Sequence, residues 1–328
     1  MEIKSLGYIG IGSKDPLAWL KFGTEILGMM PSRAVPGESW GMPGGMDPDF
    51  KIESGGKGIA KDGSVYLKMD DHQWRLGIHP NQDNEGILYM GFEVESETKL
   101  KEAMEDLKKH KIPVELGTEE EANLRGVTGL AKCKDPSGNL VEIFFEPTID
   151  YNFTSPVPNQ MFIAGRLGFG HVMMYAANRI DTYDFYTKIF GFKLTDYISY
   201  MEGNGAWFMR CNPRHHSVAL ARYGDVNGMH HLMFEVESID QVGIAYDRAV
   251  SSGIAISASI GRHINDGAFS FYMKSPNGWD VEIGAEVIKI NDDNKWTPNQ
   301  FVEGDTWGHH GIMESVEEVS AELEEKTQ

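Results

Sequence analysis

The sequence predicts an α+β protein made of two tandem halves, each built from two strand–helix–strands units. Two observations carry this reading. Residues 167–286 rerun residues 6–146, and a repeat constrains architecture more strongly than any local pattern. His-Leu-Met-Phe-Glu-Val-Glu-Ser (231–238) answers Tyr-Met-Gly-Phe-Glu-Val-Glu-Ser (89–96), and Ser-Pro-Asn-Gly-Trp-Asp-Val-Glu (275–282) answers Asp-Pro-Ser-Gly-Asn-Leu-Val-Glu (135–142). Each half also passes twice from an alternating run into an apolar helical period.

The elements follow in order. Residues 7–11 read as a strand, and Asp15-Pro16 as a helix cap with proline at the first helical position. Leu17, Leu20 and Leu27 fall at helical spacing, and Gly28 can terminate the helix. The second unit opens with a strand over 86–94, and Ser96 starts a helix carrying Leu100, Met104 and Leu107 before Pro113. The third has a strand over 171–175, a helix over 180–189 and Gly191. The fourth has a strand over 231–236, a helix over 239–250 and Gly253. Short β-branched and aromatic runs (206–209, 217–221, 269–273, 281–284) supply further strands. Residues 147–165, rich in Pro, Asn and Ser, read as a linker, giving domains 1–147 and 148–328. The Gly-, Pro- and Met-rich stretch 31–63 reads as a surface loop inserted over the first domain's cavity.

Composition narrows the function. The 328 residues suffice for two domains, each with its own core. A formal net charge of −19 argues against nucleic-acid binding, which needs clustered Lys and Arg. Two cysteines make neither a disulfide framework nor a thiolate metal site. The start lacks the features of a signal peptide, and no apolar run approaches the ~18 residues of a membrane span, so a cytoplasmic enzyme with no membrane partner is expected. The Glu-rich stretch 314–325 reads as a solvated helix.

The copies differ where chemistry would sit. His171, His231 and Glu282 stand where the first copy has Tyr8, Tyr89 and Glu142. One strand histidine alone is ordinarily a core or edge residue, and Glu142 shows that the carboxylate position persists without histidines. Both histidines fall at equivalent places, however, and two imidazoles with one carboxylate suit Fe(II), Mn(II) or another borderline divalent ion. His216, matched to Trp74, together with His263 and Tyr272, could serve as acid, base or hydrogen-bond donor. Asp266 is cast as the carboxylate that orients a histidine. Met173 and Phe208 share strand parity with His171 and His216 and make candidate pocket walls. Tyr223 and His230 have the opposite parity and require a bend. Apolar walls suit a bicyclic or alkyl-substituted ligand better than an acidic one.

Gly261-Arg-His263 followed by Phe271-Tyr272, Ser275-Pro276-Asn-Gly278 and Glu282 resembles the signature of the type I extradiol ring-cleavage dioxygenases of the vicinal-oxygen-chelate superfamily. Asn-Pro-Arg-His-His-Ser (212–217), His-His-Leu-Met-Phe-Glu-Val (230–236), Gly-Phe-Gly-His (168–171) and Trp-Gly-His (307–309) resemble other blocks of that family, so the likeness spans nearly the whole chain. It is most like the two-domain 2,3-dihydroxybiphenyl 1,2-dioxygenase branch, with Ser275 a departure before the signature proline. The resemblance implies a glyoxalase-like fold of paired βαβββ modules, a metal-free first domain and a catalytic second one. It implies Fe(II), or in some members Mn(II), on His171, His231 and Glu282, with a catechol and O2 as partners in a homo-oligomer. His216, His263 and Tyr272 would act on substrate and oxygen, and Asn265 would help hold the substrate. Two rivals share the scaffold: a glyoxalase-type isomerase or lyase, and a non-catalytic protein that sequesters an aromatic ligand.

Overall fold

The computed structural model describes residues 1–38, 54–201 and 204–327. Two sheets carry the chain. The first holds β1 (Ser5–Ser13), β2 (Met30–Pro31), β3 (Val65–Lys68), β4 (Leu76–Pro80), β5 (Ile87–Glu93), β6 (Glu115–Leu116), β7 (Val127–Lys134) and β8 (Leu140–Pro147), in the order β2-β3-β4-β1-β5-β8-β7-β6. The second holds β9 (His171–Tyr175), β10 (Lys193–Met201), β11 (Asn204–Arg210), β12 (Val218–Arg222), β13 (Gly228–Glu235), β14 (Ile256–His263), β15 (Phe269–Lys274) and β16 (Asp280–Ala285), in the matching order β10-β11-β12-β9-β13-β16-β15-β14. Two short strands, β17 (Asn299–Phe301) and β18 (Asp305–Trp307), without a first-half counterpart among the described residues, are added at its edges, beside β10 and β14.

The helices cover the outer faces. In α1 (Pro16–Lys21), Asp15 caps the Ala18 amide at 3.0 Å, and a wider π-helical turn follows over Phe22–Leu27. Trp19, Phe22, Ile26 and Leu27 form the buried stripe, whereas Leu17, expected on the apolar face with Leu20 and Leu27, is exposed. The same widening recurs after α4 (Arg179–Asp184), over Phe185–Ile189. In α2 (Glu97–Lys109), Ser96 caps the start, and Leu100, Ala103 and Leu107 are buried at helical spacing. A short α3 (Glu119–Asn123) precedes β7, and α5 (Ile239–Ser251) is capped by Ser238. α6 (Ile312–Thr327) closes the described chain. Among the described residues no helix is long and apolar enough to cross a membrane.

One apolar cluster runs through both halves, so they share a core. Trp19 packs on Trp279 with centroids 5.2 Å apart, and Arg248 donates to the Ile26 carbonyl at 2.7 Å. The inner faces are left to other side chains. Of the stretch 31–63, residues 39–53 lie outside the described residues; on either side, Glu38 accepts from the amides of Val35 and Ser54.

Candidate active site and metal centre

The ladders superpose the halves residue by residue. Tyr8 pairs with Gly91 and Gly10 with Tyr89, just as His171 pairs with Met233 and Met173 with His231. Gly91 faces Glu142 as Met233 faces Glu282. Ile9 pairs with Leu76 as Val172 pairs with Val218, which sets Trp74 and His216 at equivalent positions. His171, His231 and Glu282 therefore come from three adjacent strands, β9, β13 and β16. The register shift between Met229 and His231 leaves His230 as the extra residue of a β-bulge, matched at Leu88 in the first half. The bulge resets the alternation, so His230 lines the same cavity as His231 despite the parity expected of a regular strand.

His171 Nε2 lies 2.9 Å from His231 Nε2, and each lies 3.5 Å from Glu282 Oε2. All three side chains are buried. Burial first, and neighbouring imidazoles second, hold both histidines well below the usual imidazole range. Neutral imidazoles beside a carboxylate are a donor set without enough protons of its own. Glu282 Oε1 accepts no hydrogen bond and stands 3.5 Å from His263 Nε2. Adjacent ligands about 2.1 Å from an octahedral ion would be roughly 3 Å apart, so these three atoms fit a divalent metal.

Around this triad stand the other histidines. The His216 ring packs on His171 with centroids 3.9 Å apart. Its Nδ1 faces His215 Nδ1 at 3.0 Å, and His215 Nε2 meets Asp196 Oδ2 at 2.8 Å. Asp266, expected to orient a histidine, lies 4.0 Å from His216 Nδ1, too far for a hydrogen bond, and accepts from the Ala268 amide at 2.9 Å instead. His215 occupies the orienting position. Burial opposes the Asp266 charge, but His263, His215 and His216 hold its carboxyl below the ordinary range. Tyr272 lies beside Glu282 in the ladder, and its hydroxyl meets His263 Nε2 at 2.7 Å. Asp305, from β18, meets His263 Nδ1 at 2.7 Å. Burial opposes protonation of His263, but Asp305 and then Glu282 outweigh it and raise its pKa well above the usual range.

These groups open onto a cavity of about 410 Å³. Met173, Phe208, Tyr223, His230 and Asn265 all line it, and the buried Asn265 Nδ2 has no hydrogen-bond partner. Its roof includes Ile312, Met313 and Val316 of α6. The acidic tail read as a solvated helix thus turns an apolar side inward, and Tyr223 donates to Glu317 at 3.1 Å. Asp196, Asp305 and the α6 roof were not singled out from sequence, and His309 only as part of the Trp-Gly-His block, without a role. The spaced Ile312, Met313 and Val316 were the available signal for the roof.

The first half fills the same place differently. The Tyr8 hydroxyl donates to Glu142 at 2.7 Å, and Arg125 grips Glu142 through Nε and Nη2, each at 2.9 Å. The Arg125 guanidinium also lies 3.7 Å from the centre of the Tyr89 ring. A pocket beside Tyr8 and Arg125 holds only about 10 Å³. Among the described residues, every cluster of three potential metal ligands lies in the second half.

A duplicated sheet that offers two imidazoles and a carboxylate at the base of a cavity defines a class of metal-dependent enzymes. Residues 5–143 and 168–283 match the model of the Glyoxalase/Bleomycin resistance protein/Dioxygenase superfamily. The chain is 33% identical over 319 residues to an iron-dependent extradiol dioxygenase of Rhodococcus jostii, covering 94% of this chain and 97% of that one. It is 30% identical over 322 residues to a biphenyl-2,3-diol 1,2-dioxygenase of Paraburkholderia xenovorans, covering 96% and 98%. The crystal structure of a halotolerant catechol dioxygenase aligns with a TM-score of 0.83 at 30% identity, covering 94% and 95%. The chain belongs to this superfamily, in its extradiol dioxygenase branch, whose members are oxidoreductases.

Proposed function

We propose that the chain opens the ring of a neutral, aryl- or alkyl-substituted catechol beside its hydroxyl pair, incorporating both atoms of O2, with Fe(II) on His171, His231 and Glu282. The observation that carries this is the convergence of two neutral imidazoles and a carboxylate oxygen within 3.5 Å on the floor of a cavity whose polar lining includes His216, His263 and Tyr272. Bound there, Fe(II) would acidify a coordinated catechol hydroxyl and gather catechol and dioxygen side by side. The iron dependence of the Rhodococcus relative supports Fe(II) over Mn(II).

The chain's own residues supply the rest. His216, packed on His171, is placed to take a proton from the substrate and return it to oxygen. Tyr272 and His263 form a hydrogen-bonded pair beside Glu282 that can hold a substrate oxygen. Met173, Ala206 and Phe208 exclude water along one wall, while Ile312, Met313 and Val316 do so from the roof. Among the described residues, Arg222 is the one Lys or Arg lining the cavity, and it pairs with Asp225, whereas Glu303 and Asp305 also line it. That balance disfavours a carboxylated catechol. Homo-oligomeric assembly is expected from the family resemblance and is read by sedimentation.

The test is to supply 2,3-dihydroxybiphenyl, 3-methylcatechol and catechol to Fe(II)-loaded protein under air. The expected result is a yellow ring-opened product with dioxygen consumed mole for mole, fastest for the substituted diols. Bound metal without any oxygen uptake on these diols would overturn the reading.

A further inference from the structure

Both edge strands that have no counterpart among the described residues of the first half reach groups behind the site. The β17 residue Asn299 donates its amide to Asp196 Oδ1 at 2.9 Å, and Asp196 in turn holds His215. On the other edge, β18 pairs with β14, with His263 opposite Asp305. Asp305 Oδ1 there receives two imidazoles, His263 Nδ1 at 2.7 Å and His309 Nδ1 at 2.6 Å. His309 is buried and reaches Ser270 with its other nitrogen, 3.1 Å from both the hydroxyl and the carbonyl.

The sequence is shaped to bring these strands together. A Cβ on Gly261 would lie 2.4 Å from the His309 backbone nitrogen and 2.6 Å from its ring. A Cβ on Gly308, at φ +81°, would lie 2.4 Å from Gly261 Cα. Two glycines on facing strands therefore permit the approach that seats His309 against Asp305.

The protonation pattern follows from partner types alone. Both groups near His263 Nδ1, Asp305 Oδ1 and the Gly304 carbonyl at 3.3 Å, are acceptors. Nδ1 must carry a hydrogen, which leaves Nε2 as the atom turned to Tyr272 and the cavity. We propose that Asp305 is the positioning residue of His263, fixing its ring orientation and the hydrogen on Nδ1 from outside the cavity floor, and that His309 holds Asp305 in place. The second half's catalytic wall is thereby completed by the C-terminal segment that the first half lacks. In its catalytic consequence the proposal rests on the ring-opening reading; in its structural part it does not.

The test therefore has two arms. In full-length, 15N-histidine-labelled protein loaded with diamagnetic Zn(II), the His263 Nδ1–H gives a low-field proton signal, assigned by its loss in His263→Gln. Asp305→Ala should abolish that signal and Tyr272→Phe should keep it. In Fe(II)-loaded protein turning over 2,3-dihydroxybiphenyl, Asp305→Ala should lower kcat about 10- to 100-fold with KM and iron content nearly unchanged. His309→Gln should give a smaller loss in the same direction. Adding Asp305→Ala to His263→Gln should cost little more than His263→Gln alone. Persistence of the signal in Asp305→Ala, or multiplying losses in the double variant, would overturn the proposal. If the wild-type protein fails to turn over any catechol, the function reading falls, and the proton signal alone decides the role of Asp305.

Discussion

The inner faces of the two halves lie on separate sheets with the same ladder register and are filled in opposite ways. At Glu142 the protein supplies its own cation, Arg125, and closes the space with Tyr8, Tyr89 and Trp74. At Glu282, among the described residues, no Lys or Arg comes within ion-pair distance, and His171, His231 and His263 do. Glycines sharpen the contrast. A Cβ on Gly10 or Gly91 would strike the Tyr89 or Tyr8 ring within 2.1 to 2.3 Å, whereas the second half has Met173 and Met233 opposite its smaller histidines. Lys132 pairs with Glu142 as Tyr272 pairs with Glu282, and the same spacing puts Asn265 where the first half has Arg125. A buried carboxylate needs a cation. One half encodes it, and the other leaves room for one from outside.

The sharpest way to break the comparison is to delete ligands on each side. His231→Ala should lose bound metal and lower turnover by on the order of 10⁴-fold, while Tyr89→Phe at the matched position keeps both, as iron assay and oxygen uptake would show. Next is Arg125→Ala, which strands Glu142 as an uncompensated buried charge. Urea unfolding should show about 3–5 kcal/mol lost, with kcat per bound iron unchanged. Asn265→Arg should export the first half's solution into the second. A guanidinium beside Glu282 should compete with the metal and weaken Fe(II) affinity roughly 100-fold, about 2.7 kcal/mol.

The smallest expected effect is a pH dependence belonging to the first half. Burial first, and the Arg125 charge second, push His79 down to about 4, with its ring bonded to Tyr89 at 2.6 Å and Ser64 at 2.9 Å. The unfolded chain, with an imidazole near 6.5, binds more protons than the native one between those values, so stability present above about pH 6.5 is lost as pH falls towards 4. Near pH 5 the loss is about 2 kcal/mol. His79→Gln should flatten the denaturation midpoint over that range, and an unchanged slope would refute the assignment.

Sequence carried the duplicated architecture and the meeting of His171, His231 and Glu282 because a repeat encodes equivalence directly. Strand parity located Met173 and Phe208 but failed for His230, since a bulge at one residue leaves no mark in hydrophobic alternation. It failed also for Asp305 and Asp196. Their contacts join residues 42 and 19 apart in sequence, and that of Asp305 runs through an edge strand with no described first-half counterpart to align. Arg125 was legible in principle. A glutamate retained in the copy without histidines asks for a cation, and the nearby loop before β7 contains one. The role given to Asp266 missed by geometry, because its neighbour His215 lies closer to the His216 ring than any carboxylate does.

The most direct measurement of the central claim is metal stoichiometry after anaerobic loading with Fe(II) and removal of excess ion. The two-halves account predicts one iron per chain, reduced to none by His171→Ala or His231→Ala and unaffected by Tyr8→Phe. Two irons per chain, or one retained in both histidine variants, would contradict it.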